Sequence, residues 1–513
     1  MAEEVAIQLT ALTKRFGNFT ANDQISMTVN FGEVHALLGE NGAGKTTLMN
    51  MLSGILKPTS GQIFVRGQQV QLNSAKDATR LGIGMVHQHF MLVDNFTVLE
   101  NIILGAEPNH SGVLDRKSAR EQILALSEQY GLQIDPDAKV ADISVGMQQR
   151  VEIVKVLFRA ADVLIFDEPT AVLTPQEVSE LLEIFRRLAH EGKAVILISH
   201  KLQELKAVAD ITTIIRRGQV VATVAMSDTT TEQLAELMVG RPIDLTQHHP
   251  DIELGPDALH LDQVTVVDKQ KVSRVKALSL NVRAGEIVGL AGIDGNGQSE
   301  LVKAITGLLP VASGTITING QDLTNASVRK ITQSSVGHIP EDRQKFGLIL
   351  PMTLVENMSL QTYTQAPLSH HGLLNPQAMV TTTEQLIQEY DVRSSSVNQT
   401  AASLSGGNQQ KLIIARELSR QPQLLIAMNP TRGLDVGAIE FIHNQIMAAR
   451  NAGHAVLLIS YELDEIRQLA DRIAVIHNGS IVGEAQTNAL DVNQIGLMMA
   501  GETVTTKEVS HAD

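Results

Sequence analysis

Short, nearly unbroken apolar runs punctuate this chain, and between them lie longer stretches whose apolar positions fall three or four residues apart. Runs such as Val34-His35-Ala36-Leu37-Leu38, Ile83-Gly84-Met85-Val86, Val163-Leu164-Ile165-Phe166 and Val195-Ile196-Leu197-Ile198 lack the in-and-out alternation of a half-exposed strand. They read as strands covered on both faces. Such strands alternating with helices predict parallel α/β cores.

One series of segments occurs twice, in the same order. Glu33-Val34-His35-Ala36-Leu37-Leu38-Gly39 is matched by Glu286-Ile287-Val288-Gly289-Leu290-Ala291-Gly292, each an apolar strand running into a glycine loop. Ile143-Ser144-Val145-Gly146-Met147-Gln148-Gln149-Arg150 is matched by Leu404-Ser405-Gly406-Gly407-Asn408-Gln409-Gln410-Lys411, each a loop-to-helix junction. Buried strands end in Asp167-Glu168-Pro169-Thr170 and in Met428-Asn429-Pro430-Thr431, and the last strands end in Ser199-His200 and Ser460-Tyr461. The spacing from Ser144 to Ser405 equals that from His200 to Tyr461. Residues 241–257 are rich in Pro, His, Asp and Gly and show no clear period, so they read as a linker. Two domains, 4–240 and 258–501, and a tail at 502–513 are expected.

The length supports that division, because 513 residues exceed what one core usually holds. Lys and Arg number 41 against 56 Asp and Glu, a net charge of −15, which is the wrong sign for wrapping a nucleic-acid backbone. No nucleic-acid partner is expected, and any phosphate must be held locally. The absence of cysteine excludes disulfides, thiolate metal sites and cysteine nucleophiles, and fits a reducing compartment. No stretch approaches the roughly 20 apolar residues of a membrane span. Met1-Ala2-Glu3-Glu4 offers neither a basic segment nor an apolar signal core. The expectation is a cytoplasmic chain that does not itself cross a membrane.

The first copy carries the chemistry. Gly39-Glu40-Asn41-Gly42-Ala43-Gly44-Lys45-Thr46, followed by Thr47, has the spacing of a phosphate-binding loop, in which backbone N–H groups converge on phosphates at a helix N-terminus. Lys45 would meet the β- and γ-phosphates and Thr46 would ligate Mg²⁺. Asp167 closes an apolar strand where it can reach the metal shell, and Glu168 beside it can polarise an attacking water. Gln88, in His87-Gln88-His89, is placed to touch Mg²⁺ or that water, and His200 to contact the γ-phosphate. Phe16 is the candidate platform for an adenine ring, with Phe19 as its competitor.

Loop, glutamine, serine-glycine junction, carboxylate pair and histidine together resemble the ATP-binding-cassette family, over nearly the whole chain and twice. The resemblance implies two tandem P-loop NTPase domains, each with a RecA-like α/β core and a helical subdomain, using ATP and Mg²⁺. A fused pair with an eroded second half is similar to the ATP-binding subunits of bacterial simple-sugar and nucleoside importers. The stretch from Gly84 to Val93 looks more like the nucleoside branch than the ribose or galactose branch. In that family two such domains stack head to tail, so each ATP lies between one domain's loop and the other's junction. Site one would then join Lys45, Thr46, Gln88, Asp167, Glu168 and His200 to Ser405, Gly406 and Gly407. Site two would use a loop in which Gln298 replaces the lysine, Glu341 the glutamine, Met428 and Asn429 the carboxylate pair and Tyr461 the histidine, against a junction altered by Val145 and Met147. All matching residues segregate to one site, which argues that the sites are composite. Site two lacks base, metal carboxylate and lysine, so slow or absent turnover is expected of it. Glu341 would add negative charge there.

The resemblance further implies integral-membrane permease subunits as partners, an extracellular solute-binding protein acting indirectly, and peripheral attachment at the cytoplasmic face of the cell membrane. Apolar residues after Gln88 (Phe90, Met91, Leu92, Val93, Phe96) and after Glu341 (Phe346, Leu348, Ile349, Leu350, Met352) would suit a groove for a permease helix. A tandem-cassette factor acting on ribosomes is the competing class. The short linker, the eroded site and the acidic charge oppose it.

Overall fold

The computed structural model describes residues 4–87, 91–110, 113–170, 173, 175–199, 201–242, 249–250, 252–268, 270–489, 491–499 and 501. The chain divides into two compact units, Met1–Ile243 with Asp435–Gly437, and Asp244–Leu434 with Ala438–Asp513.

In the first unit the apolar runs form one six-stranded sheet, ordered Gln219–Ala225, Ile211–Arg216, Val34–Leu38, Ala194–Ile198, Val163–Asp167, Ile83–Val86. All neighbours pair in parallel except the terminal hairpin between Ile211–Arg216 and Gln219–Ala225. Val34–Leu38, Val163–Asp167 and Ala194–Ile198 are buried at every position, the reason their sequences show no alternation. A second sheet, which the sequence pattern did not announce, is antiparallel: Phe19–Asn30, Val5–Phe16, Ser60–Val65, Gln68–Val70. Its long hairpin carries register shifts and non-glycine left-handed residues at Ala11 and Gln24. These bulges break the period of two by which an exposed-face strand is recognised. The helix Lys45–Leu52 contributes Leu48, Met49, Met51 and Leu52 to a core shared by Ile7, Leu9 and Ile25 of the antiparallel sheet and Leu37, Ile165 and Ile196 of the parallel one. Each such side chain contributes about 1.5–3 kcal/mol when fully buried. The core therefore fixes the phosphate loop from behind. Helices Val98–Ile103, Arg116–Tyr130 and Val145–Phe158 make the helical part.

The second unit repeats the plan. Its parallel sheet runs Val336–Ile339, Leu424–Met428, Ala455–Ile459, Ile287–Ala291, Arg472–His477, with Ser480–Gln486 antiparallel at the edge, and its antiparallel sheet runs Ser273–Arg283, Asp257–Val267, Val311–Ile318, Gln321–Asp322. Equivalent bonds recur: Asp210 accepts from the Val34 N–H at 2.8 Å, and Asp471 from the Ile287 N–H at 2.8 Å. Within the 241–257 stretch, His249 bonds Asp471 and the Gln468 carbonyl, and the Pro250 carbonyl accepts from Arg450. The expectation of two α/β copies holds. No helix among the described residues is long and apolar enough to cross a membrane.

Candidate nucleotide site

The loop Gly39–Gly44 leaves the buried strand Val34–Leu38 and enters the helix Lys45–Leu52. Gly44 caps that helix at φ 103°, a left-handed geometry, and a Cβ there would strike the Ala21 carbonyl and stand 2.6 Å from the Asn22 amide. A Cβ on Gly39 would collide with the Ile215 carbonyl. The loop can therefore take this path only with glycine at those points. Asn22, fully buried, donates to the Gly44 carbonyl at 3.1 Å. Nothing in the sequence singled it out.

Lys45 is buried, and its Nζ donates to the Gly39 carbonyl at 2.7 Å and the Glu40 carbonyl at 3.0 Å. Burial lowers its pKa, while Glu168 and Asp167 act in the opposite sense. Asp167, at the end of its strand, is equally buried, and burial reinforced by Glu168 pushes its carboxyl up to about 6. An ammonium resting on two carbonyls and a carboxylate held partly toward neutrality are both poorly solvated. A polyphosphate against Lys45 and a divalent cation against Asp167 would relieve both, so these residues fit ATP and Mg²⁺. Thr46 lies exposed at the helix start. Glu168 follows the strand at φ 50°, its N–H donating to the Ile198 carbonyl at 2.9 Å. The structure thus brings Lys45, Asp167 and Glu168 together. Gln88 and His200 lie outside the described residues, as do Phe90, Ala171, Val172 and Thr174.

Phe16 ends a strand of the antiparallel sheet, 47% exposed, with the Lys14 ammonium 5.1 Å from its ring centre. Phe19, its partner across the hairpin, is more exposed at 64%. Both rings are open to a planar ligand.

The second copy keeps the frame without the groups. Gly297 caps its helix at φ 105°, and Gln298 donates to the Ile293 carbonyl at 3.1 Å, the bond Lys45 makes to Glu40. Asn429 takes the place of Glu168 at φ 45°, its N–H donating to the Ile459 carbonyl at 2.7 Å and its Oδ1 accepting from the Tyr461 N–H at 3.0 Å. The Tyr461 hydroxyl donates to Asp294 at 2.9 Å, and burial together with Glu341 and Asp294 raises its pKa. Ser299 donates to Glu341 at 3.2 Å, and Glu341 is paired with Arg432 at 3.1 Å. The negative charge expected of Glu341 is therefore offset within this copy. Asp294 and Arg432 were not among the residues singled out from the sequence, because only folding brings them to Tyr461 and Glu341.

The junctions are alike in backbone. Ser144 caps the helix Val145–Phe158, accepting from the Met147 N–H, and Ser405 caps Gly406–Leu418, accepting from Asn408. Ser405 is exposed and Gly407 is buried. Met91, Val93, Phe96, Phe346 and Ile349 are exposed apolar residues, whereas Leu348 belongs to the core of the second unit. Met91 borders a cavity of about 210 Å³ in the first unit, together with Ile55, Ala78, Met85 and Val156.

The model of the family described as ABC transporter matches residues 22–171 and 275–432. A nucleoside import ATP-binding protein of Lactococcus lactis subsp. cremoris is 54% identical over 98% of this chain and 100% of its own length. A guanosine import ATP-binding protein of Bacillus subtilis is 53% identical over 98% of each chain, and a ribose import ATP-binding protein of Yersinia pestis 38% identical over 98% of this chain and 99% of its own. Among solved structures, the complex of an archaeal ribosomal stalk protein with an archaeal ribosome recycling factor matches at a TM-score of 0.63 and 19% identity, over 96% of this chain and 92% of that one. At that identity the likeness is one of fold alone. A glycine loop between a buried strand and a helix, built twice, matched twice by one family and carrying in the first copy a buried lysine beside two carboxylates, leaves a single assignment: the chain belongs to the ABC transporter family, and its two copies are ATP-binding domains of that family's ATPases.

Proposed function

We propose that this chain is the ATP-hydrolysing subunit of an importer that takes up nucleosides. The observation that carries the reading is near-complete alignment, above 50% identity, with two proteins named for nucleoside and guanosine import, beside 38% with one named for ribose import. The intact first phosphate loop supports turnover. The proposed domain limits remain 4–240 and 258–501, joined by 241–257.

In this reading Gly39, Glu40, Asn41, Gly42, Ala43 and Gly44 cradle the phosphates with backbone N–H groups, and Thr47 completes the helix start. Lys45 exchanges its two carbonyl partners for phosphate oxygens, which costs little because the ammonium is already desolvated. Phe16 stacks the adenine. Thr46, Asp167 and Gln88 hold Mg²⁺, which supplies charge neutralisation on the phosphates. Glu168 accepts the proton of the attacking water, and His200 steadies the γ-phosphate. Ser405, Gly406 and Gly407 contact nucleotide as well, because they alone of the two junctions keep the family pattern. The second loop, lacking base and metal carboxylate, does not turn over.

Permease subunits receive the chain at the cytoplasmic face of the membrane through the exposed apolar residues Met91, Val93, Phe96, Phe346 and Ile349. A solute-binding protein outside the cell delivers the substrate to the permease. The test is ATPase activity of the complete transporter, supplied with its solute-binding protein and a panel of nucleosides and pentoses. Stimulation by nucleosides supports the assignment; stimulation by ribose or galactose alone moves it to the sugar branch.

A further inference from the structure

The two phosphate loops are clamped from behind by the same backbone contacts. In the first copy Gly218, at the turn between Ile211–Arg216 and Gln219–Ala225, donates to the Ala43 carbonyl at 3.0 Å and accepts from the Asp23 N–H at 2.7 Å. In the second, Gly479 donates to the Asn296 carbonyl at 3.0 Å and accepts from the Lys276 N–H at 2.8 Å. The residues just before those N–H groups hold one station: Asn22, paired across its hairpin with Lys14, and Val275, paired with Val266. Both are fully buried. One frame thus accepts an amide in the copy that has Lys45 and an aliphatic side chain in the copy that has Gln298.

Stability gives no reason for the amide. Its Nδ2 donates to the Gly44 carbonyl at 3.1 Å, but its Oδ1 is buried and has no partner among the described residues. A stranded acceptor is unfavourable, and valine would avoid it, as Val275 does. A local cost kept in one copy and removed in its twin points to function. The bond also lands where the helix begins. The Gly44 carbonyl already accepts from the Leu48 N–H at 2.9 Å, and Asn22 gives it a second donor. The same planar peptide unit carries the Lys45 N–H, which points the opposite way and, in the first turn of a helix, has no partner within it. Two donors on the carbonyl hold that plane and strengthen the N–H toward an anion.

Resting on the reading that the loop Gly39–Gly44 and Lys45 cradle the phosphates, we propose that Asn22 is a positioning residue of the first loop, fixing and polarising the Gly44–Lys45 peptide for a phosphate oxygen. It does not touch the nucleotide; it acts through the Gly44 carbonyl. Val275 cannot donate, so the two copies differ behind the loop as well as on it.

The test uses the full chain carrying Glu168→Gln, so that ATP persists, and measures Mg-ATP and Mg-ADP affinity by calorimetry beside a thermal melt of each variant. Asn22→Val, which copies the second loop, is expected to weaken ATP and ADP alike by about three- to tenfold, the scale of one hydrogen bond, while the melting temperature holds or rises. Asn22→Thr, which has the shape of valine and regains a donor, should recover part of the loss. Unchanged affinity with Asn22→Val, equal losses in the two variants, or a melting temperature that falls with the affinity overturns the proposal. Lys45→Ala in the same background separates the two readings: if it lowers ATP affinity while Asn22→Val does not, Asn22 is discarded and the loop stands. If neither change moves ATP, the loop reading is discarded with it.

Discussion

The lysine of the first loop and the glutamine of the second sit in the same frame, but the lysine brings a charge and a second carbonyl bond. Lys45→Ala removes the partner of a desolvated phosphate and should weaken ATP by roughly 2–5 kcal/mol, abolishing turnover at ordinary nucleotide concentrations. Gln298→Ala removes one bond to the Ile293 carbonyl and should leave steady-state hydrolysis nearly unchanged. Equal loss in the two variants would end the assignment of one productive site. Glu168→Gln, with the base gone and the shape kept, should slow hydrolysis by about 10² to 10⁴ and leave ATP bound; single-turnover kinetics with labelled ATP read both quantities. The candidates themselves were legible because each adjoins its own apolar strand in sequence, the loop after Val34–Leu38 and the carboxylate pair at the end of Val163–Asp167. Asp294 and Asn22 were not, since each bonds a residue far from it in sequence, Tyr461 and Gly44.

Elements were legible in proportion to how local their cause is. The parallel strands announced themselves because burial on both faces leaves unbroken apolar runs, and the junction helices because Ser144 and Ser405 cap them. The antiparallel sheets were hidden by bulges at Ala11 and Gln24, and at Gln263 and Ala277 in the second copy. The second phosphate loop shows an element kept without the lysine and carboxylates of the first. Its caps and its glycine conformations persist while Tyr461–Asp294 and Ser299–Glu341–Arg432 close on themselves. Gln298→Lys should therefore fold with a stability change within about 1 kcal/mol, yet add no turnover, because Asn429 still stands where the base would be. A thermal melt and an ATPase assay check the two halves of that statement.

At the scale of the whole molecule, stability and coupling fall on different surfaces. Asp471 ties the Ile287 N–H, Arg450 and His249 together in the second unit. Those bonds and charges hold its pKa below the ordinary carboxylate value against the opposing effect of burial. A depressed carboxylate contributes stability that is present above its unfolded pKa and lost as pH falls through the folded one, so this knot loosens only in acid. His249, raised by its bond to Asp471, contributes below its ordinary value of 6.5 and loses that contribution as pH rises through the raised value. Asp471→Ala should cost about 3 kcal/mol in urea denaturation, because it strands the buried Arg450. The proposed coupling surface lies instead at exposed apolar positions. Met91→Asp and Phe346→Asp should lower transport in vesicles far more than basal ATPase of the isolated chain; equal loss of both would remove the docking role.

The left-handed turn shared by Glu168 and Asn429 restricts how a copy of this machine can be disarmed. Asparagine is among the few side chains that settle into that conformation readily. The position can thus surrender its carboxylate with little conformational penalty, and an inert copy remains as well built as a working one. Assays that read only whether the protein is folded will be blind to whether that carboxylate is present.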